Sequence, residues 1–226
     1  MKKVLIYGAK SAEIGPALVK GGFEVVTETP DMVVSYGGDG TLMKAEHDFP
    51  GVPKLPLKGS RICKLCTPLS NEEVLRRVSE GAYTIEELWK LTATQGGRLL
   101  TALNDIIIHN SDARHAIRYT LTVNGRSIGS EIIGDGVVIA TPFGSTGYYR
   151  SITDSFFEVG MGLAFNNSTE QSDHMVLREG SVVKISIVRG PAVVYADNQE
   201  DSFTLEDGEA VVVEKSKETA KIVKVL

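Results

Sequence analysis

Two cysteines occur in the 226-residue chain, both in the run Cys63-Lys64-Leu65-Cys66, and its four histidines, His47, His109, His115 and His174, are scattered. A structural zinc site needs a second Cys/His pair at suitable spacing, and none accompanies this one. We expect two reduced cysteines in a cytoplasmic protein. No apolar run approaches the roughly 20 residues that cross a bilayer. The apolar stretch of the opening MKKVLIYGAKS is too short for a signal core and reads as a first strand, so no membrane partner is expected. The net charge is −5 with no block of either sign, which excludes the broad basic footprint of a duplex-binding protein, and no nucleic acid is expected. Internal repeats are absent, and so are the P-loop GxxxxGK[ST] and the dinucleotide fingerprint GxGxxG. A nucleotide has to be held in another way.

What is present is ordinary for a globular chain: 42% hydrophobic and 23% charged residues, enough for one large domain or two small ones. KVLIYG, FEVVTE and DMVVSY read as strands, with SAEIGPALVKGG and TLMKAEHDF as helices between and after them. This alternation predicts a parallel sheet covered on both sides. NEEVLRRVSEGA reads as a helix with Asn71 as its N-cap. Beyond about residue 90 the texture becomes β-rich, in LLTALNDIIIHN, AIRYTLTVNGRSIG, VVIATP, VVKISIVR and AVVYAD, and VNGRSI has hairpin character. No helical period of comparable length follows. We expect an α/β domain over 1–92 plus about 212–226 and a predominantly β domain over 93–211, with the C-terminal segment returning to the first.

Three stretches carry chemistry. In VVSYGGDGTLMKA, Gly37, Gly38 and Gly40 let the backbone turn tightly and a ligand approach. Thr41 opens a helix whose free N–H groups and dipole favour phosphate. Asp39, set among the glycines, can orient a hydroxyl for phosphoryl transfer; a tight turn with Asp39 as a cap is the plainer reading. Lys44 lies about one helical turn past Gly40, able to reach a phosphate or simply solvated. In GDGVVIATPFGSTGYYRS, residues 134–151, Asp135 sits in a Gly-Asp-Gly turn and a glycine-rich loop concentrates hydroxyls beside aromatic rings. Stacking from Tyr148 or Tyr149, hydrogen bonds from Thr146 and Ser151, and phosphate contact from Arg150 suit a nucleoside. In ALNDIIIHN, Asn104 can read an adenine edge and Asp105 can bind ribose hydroxyls, although Asn-Asp is common in turns.

In this order GGDGT at 37–41, ALND at 102–105 and DG…TPFGSTGYYRS over 135–151 resemble the three signature stretches of the NAD kinase family. ADNQ at 196–199 is similar to that family's later Asp-Gly-Gln element, with Asn198 in place of glycine. The resemblance implies an α/β first domain, a β-rich NAD-binding domain and a return of the C-terminus. It implies transfer of the γ-phosphoryl group of ATP, or of polyphosphate, to the 2′-hydroxyl of the adenosine ribose of NAD, giving NADP. Carried onto this chain, Asp39 is the base or orienter, and Gly40 and Lys44 lie beside it. Asn104 and Asp105 bind the nucleoside, and Asp135 contacts NAD toward its nicotinamide end. Thr146, Gly147, Tyr148 and Ser151 shape the adenosine pocket, while Gly37, Gly38, Thr41 and Arg150 meet phosphate. A divalent metal, Mg²⁺, and a homodimer or homotetramer are implied as well, with the metal ligands unassigned. The chain departs from the family in VPKLPLKGSRICKLC, which keeps little of the glycine-rich element after GGDGT, and in SITDSFFEVGMG, which lacks Gly-Gly-Pro. Ile133 stands where many members carry a basic residue. Two alternatives stay open: a kinase of the same superfamily acting on a lipid or sugar hydroxyl, and a non-catalytic NAD(P)-binding sensor.

Overall fold

The fold is taken from a computed structural model that describes residues 1–61, 63, 65–169 and 173–226. Ile62 and Lys64 of the departing segment lie outside the described residues. The chain divides into two compact units, Met1–Leu88 with Thr219–Leu226, and Trp89–Glu218.

Unit 1 runs through β1 (Lys3–Tyr7), α1 (Ser11–Lys20), β2 (Glu24–Val25), β3 (Met32–Gly37), α2 (Asp39–Asp48), β4 (Lys54–Lys58) and α3 (Asn71–Ser79). The strands pair in parallel in the order β2-β1-β3-β4, and Ile222 pairs with Lys54 beyond β4, again in parallel. Successive side chains along a strand face opposite ways. Val4, Val34 and Leu57 pack with Leu18 of α1 and Val78 of α3, whereas Leu5 and Val33 pack with Ala45 of α2. So α1 and α3 cover one face and α2 the other. Right-handed crossovers require this, because the chain steps one way from β1 to β2 and the opposite way from β3 to β4. The carboxyl ends of β1 and β3 flank that reversal, where sheets of this kind bind ligands. The GGDGT turn stands there.

Three local expectations need correction in unit 1. FEVVTE forms only the two-residue strand β2, whose side chains are both exposed at a sheet edge. The cap of α3 is Ser70, whose hydroxyl accepts from Glu73 N–H at 3.2 Å; the Asn71 side chain instead bonds the Lys58 backbone in both directions. Cys63 and Cys66 are joined by a disulfide, with Cα atoms 5.3 Å apart, rather than reduced. The departing segment itself supplies β4, buried through Lys54–Leu57, where the Lys54 ammonium is paired with Glu46 of α2.

Unit 2 takes up the end of β5 (Tyr83–Gln95), then β6 (Arg98–Ala102), β7 (Asp105–Asn110), β8 (Ile117–Val123), β9 (Arg126–Gly134), β10 (Gly136–Ala140), α4 (Tyr148–Thr153) and β11 (Met161–Asn166). β12 (His174–Leu177), β13 (Val183–Arg189), β14 (Ala192–Ala196), β15 (Ser202–Leu205) and β16 (Ala210–Val225) complete it, β16 ending in unit 1. β16, β13, β8 and β9 are antiparallel neighbours, and Asn124-Gly125, both at positive φ, turn the β8–β9 hairpin as VNGRSI suggested. A second antiparallel sheet has the order β12-β11-β10-β7-β14-β15. Leu121, Ile185 and Val211 from the first set meet Ile106, Ile139 and Val194 from the second in the core, each fully buried aliphatic contributing about 2 kcal/mol.

The outer face of the second sheet, Val138, Ala140 and Ala164, is covered by Tyr149 and Phe157. This corrects the reading of 142–151 as a loop: it is a 3-10 turn over Gly144–Thr146 followed by α4. Burial of Tyr149 drives the helix, which at six residues is too short to show a period in the sequence. Tyr149 is fully buried, edge-on to Phe157 and His174, so it belongs to the core and Tyr148 alone is left as the stacking candidate. Among the described residues no helix is long and apolar enough to cross a membrane.

Candidate active site

Unit 1 contributes one turn. β3 ends at Gly37, Gly38 stays extended, and Asp39, Gly40 and Thr41 form the first turn of α2. The N–H groups of Thr41 and Leu42 close onto the Gly38 carbonyl at 3.0 and 3.2 Å. Thr41 folds back over Gly37: a Cβ there would lie 2.2 Å from Thr41 Oγ1 and 2.8 Å from Thr41 Cβ, so only glycine fits. Asp39 is half-buried at the positive end of the helix dipole, and Lys44 is exposed on the same helix face as Gly40.

Unit 2 brings three segments to one end of its second sheet. Ala140 of β10 is opposite Asp105 of β7, and Ala196 of β14 is opposite Ile106. The turns before β7, after β10 and after β14 therefore meet. The Asn104 carbonyl accepts from Thr141 N–H at 2.8 Å, and the Leu103 carbonyl accepts from the Thr141 hydroxyl at 2.6 Å. Gly144 lies against the Asn104 backbone, where a Cβ would come 2.2 Å from the carbonyl oxygen. At Gly147 a Cβ would sit 3.8 Å from Asn104 Nδ2 and 3.9 Å from Asp105 Oδ2. Thr146, Gly147, Arg150 and Ser151 line an open depression of 480 Å³. Arg150 is exposed there, and the Ser151 hydroxyl donates to the Tyr148 carbonyl at 2.7 Å.

Two side-chain groups at this end are under electrostatic tension. Asn104 Oδ1 is buried with no hydrogen-bond partner among the described residues. A buried acceptor left open costs about 1–3 kcal/mol until a donor arrives. The Asp105 carboxyl is 5% exposed, and burial pushes it up to about 7, with the charge of Asp197 adding to the shift. It therefore changes protonation near neutrality, as groups at functional sites often do.

The other end of β10, a five-residue strand, lies roughly 13 Å away by strand rise. There Asp135 accepts from Asn167 Nδ2 at 3.0 Å and from Asn110 Nδ2 at 3.3 Å. Asn166 Nδ2 donates to the Tyr148 hydroxyl at 3.1 Å and lies 3.2 Å from His109 Nε2. His109 Nδ1 is 3.1 Å from the Asn110 carbonyl, which assigns the proton to Nδ1 and leaves Nε2 as acceptor. So Asn104, Asp105, Thr146, Gly147, Arg150 and Ser151 gather at one end, Asp135 stands at the other, and the Tyr148 hydroxyl joins the network around Asp135. Gly37, Gly38, Asp39, Gly40, Thr41 and Lys44 form a separate group in unit 1.

Sequence reasoning overlooked Thr141, His109, Asn166 and the part played by Asp197. Thr141 was inside a noticed stretch, but its role depends on the chain 38 residues earlier. ADNQ drew notice only as a likeness. In the structure the Asp197 carboxylate accepts from the N–H groups of Leu103, Asn104 and Asp105 at 2.7, 2.7 and 3.1 Å.

Residues 103–225 match the family model described as ATP-NAD kinase C-terminal domain. The chain is 31% identical over 216 residues to an NAD kinase of Natranaerobius thermophilus, covering 89% of this chain and 75% of that protein. The fold is shared with an NAD kinase of Archaeoglobus fulgidus crystallised with ATP, at TM-score 0.81 and 24% identity over 100% of this chain and 94% of that one. It is shared too with yeast NADH kinase complexed with NADH, at TM-score 0.82 and 17% identity over 100% and 84% of the two chains. The α/β plus β-rich fold class expected from the sequence agrees with both.

Proposed function

The chain belongs to the NAD kinase family, and on that premise we propose how its residues divide the phosphorylation of NAD between them. The end of the second sheet that holds Asn104 and Asp105 receives the adenosine of NAD. The orphaned, buried Asn104 Oδ1 carries this reading, because it calls for a donor such as an adenine amino group. Asp105 offers its carboxyl to a ribose hydroxyl, and Thr146, Gly147, Tyr148 and Ser151 shape the pocket. Asp135, at the far end of β10, serves the nicotinamide end. The length of strand between the two ends supports an elongated ligand over a compact sugar.

In unit 1 the backbone of Gly37, Gly38 and Thr41 and the start of α2 hold phosphate, and Gly40 and Lys44 belong with the Asp39 turn; in unit 2 Arg150 is the phosphate-binding side chain. ATP, or polyphosphate, is the donor. The 2′-hydroxyl oxygen bonds to the terminal phosphorus as the bond to the bridging oxygen breaks. Asp39 orients the hydroxyl and takes its proton late, as in the phosphoryl-transfer template. Most of the acceleration comes from positioning.

Among the described residues no group of three or more His, Cys, Asp or Glu could hold a metal ion. Mg²⁺ needs only one or two carboxylates and otherwise binds through water and phosphate. Bound with the donor's phosphates, Mg²⁺ would supply charge neutralisation there, with its protein ligands unassigned. A homodimer or homotetramer is proposed on family membership, supported by the exposed Phe156, Val159 and Val176 of unit 2. A cytoplasmic location is proposed on family membership.

Purified protein with NAD, ATP and Mg²⁺ should yield NADP, read with an NADP-specific dehydrogenase; replacing ATP by polyphosphate, and NAD by NADH, settles donor and acceptor range. Calorimetric binding of NAD without NADP formation would establish the sensor reading instead. Phosphorylation of a lipid or sugar hydroxyl without action on NAD would establish the related kinase.

A further inference from the structure

We propose that Asp197 is a positioning residue for the nucleoside site: it fixes the Leu103–Asp105 turn so that the Asn104 and Asp105 side chains are presented to the ligand. The inference rests on the reading of that end of unit 2 as the adenosine site. Asp197 follows β14 in a left-handed conformation, φ 49°, which an aspartate adopts at some cost and which aims its carboxylate back at the turn before β7. One carboxylate oxygen accepts from Leu103 N–H at 2.7 Å, the other from Asn104 N–H at 2.7 Å and Asp105 N–H at 3.1 Å. Successive N–H groups converging on one anion form a nest of the kind that binds phosphate, here filled by the protein itself. The strap is double-sided. Asp197 N–H donates to the Asp105 carbonyl at 3.0 Å, and the Gln199 amide donates to the Thr101 carbonyl at 2.7 Å.

With Thr141 holding the Leu103 and Asn104 carbonyls, the turn backbone is bonded at its N–H and C=O groups, while its side chains are left for a ligand. Asp197 does not itself reach into the depression lined by Thr146 and Ser151. Its effect is exerted through Asn104 and Asp105. Two carboxyls share this buried region, and among the described residues the charged groups acting on Asp197 include Lys90, itself 4% exposed. Burial pushes the Asp197 carboxyl upward, with the three N–H donors and the Lys90 charge opposing that shift; burial likewise raises Asp105, and the charge of Asp197 adds to it.

The test compares wild type with Asp197→Asn in full-length protein. An asparagine Nδ2 cannot accept an N–H, so part of the nest is lost. The expected result is a KM for NAD raised roughly ten- to a hundredfold, with kcat little changed, as for lost ground-state binding. The pH at which NAD affinity changes should move to more acid values, because a charge that raises Asp105 has gone. Backbone hydrogen exchange at Leu103, Asn104 and Asp105 should quicken while the rest of unit 2 keeps its protection. Unchanged KM and unchanged exchange at those three amides overturn the proposal. So does a loss of activity that merely follows the folded fraction, with no shift in the pH profile. If Asp197→Asn does not fold, Gln199→Ala removes only the second strap and should raise KM for NAD roughly two- to fivefold at unaltered kcat; no change in KM then overturns it. Absence of NADP formation by wild type sinks the kinase reading, whereas wild-type protection of the three amides reports on the strap alone.

Discussion

The turn Gly37–Thr41 of unit 1 is held by contacts within a few residues of chain, whereas the turn Leu103–Asp105 of unit 2 is held by a side chain 92 to 94 residues away. In the first, glycine at 37 makes room and Thr41 folds onto it, and the helix beginning there supplies the dipole. In the second, a half-buried carboxylate, Asp197, and a buried threonine, Thr141, satisfy the backbone from the turns after β14 and β10. The first construction suits a group that binds phosphate with backbone and helix end. The second suits side chains that read a base and a sugar, since Asn104 and Asp105 need a rigid frame but no partners of their own.

If the two turns divide the reaction as proposed, damage to them should separate chemistry from binding. Asp39→Asn should lower turnover roughly 10²–10⁴-fold while calorimetry still shows NAD bound; undiminished turnover removes Asp39 from the chemistry. Gly144→Ala drives a methyl onto the Asn104 backbone, whose carbonyl oxygen would be only 2.2 Å away. It should cost about 3 kcal/mol in unfolding titrations and abolish NAD binding. Retained NAD affinity there would break the assignment of the Asn104 turn.

Asp105→Asn probes the same turn through pH. The folded state raises this carboxyl from 3.8 to about 7, so folded protein holds the proton more tightly than unfolded chain. The associated stability is complete below about pH 4 and is lost as pH rises toward 7. Asn mimics the protonated form. It should leave thermal unfolding at pH 4 unchanged, stabilise by about 4 kcal/mol at pH 8, and still weaken NAD binding. Equal effects at both pH values would contradict the assigned protonation. The smallest effect is expected at Ser70→Ala, which removes the α3 cap and should cost about 1 kcal/mol without altering NAD affinity. A change in affinity there would mean that unit 1 packing reaches further than the comparison allows.

The difference between the turns also explains what could be read from the sequence. The parallel sheet of unit 1 was legible because apolar runs, glycines and helix periods lie side by side in KVLIYG, SAEIGPALVKGG and DMVVSYGGDGT. GGDGT announces its own turn. ALND did not, because its structure depends on Thr141 and Asp197, and nothing within ALND encodes those partners. The short α4 hid behind glycines and hydroxyls, and only burial of Tyr149 against Phe157 shows why it is a helix. Ser70 was overlooked as a cap because Asn71 is an equally good one by type, and the Lys58 backbone claims its side chain. The cysteine pair was read through its compartment instead of its spacing, which lets the chain bring Cα atoms to 5.3 Å.

The central claim is that the phosphoryl group lands on a dinucleotide ribose held by the Asn104–Asp105 turn. Phosphorus NMR of the product formed from NAD, ATP and Mg²⁺ tests it most directly. The account predicts a new phosphomonoester on the 2′-oxygen of the adenosine ribose, formed by wild type and lost with Asp39→Asn. A phosphate on another hydroxyl, or a 2′-phosphate formed equally well by Asp39→Asn, would contradict it.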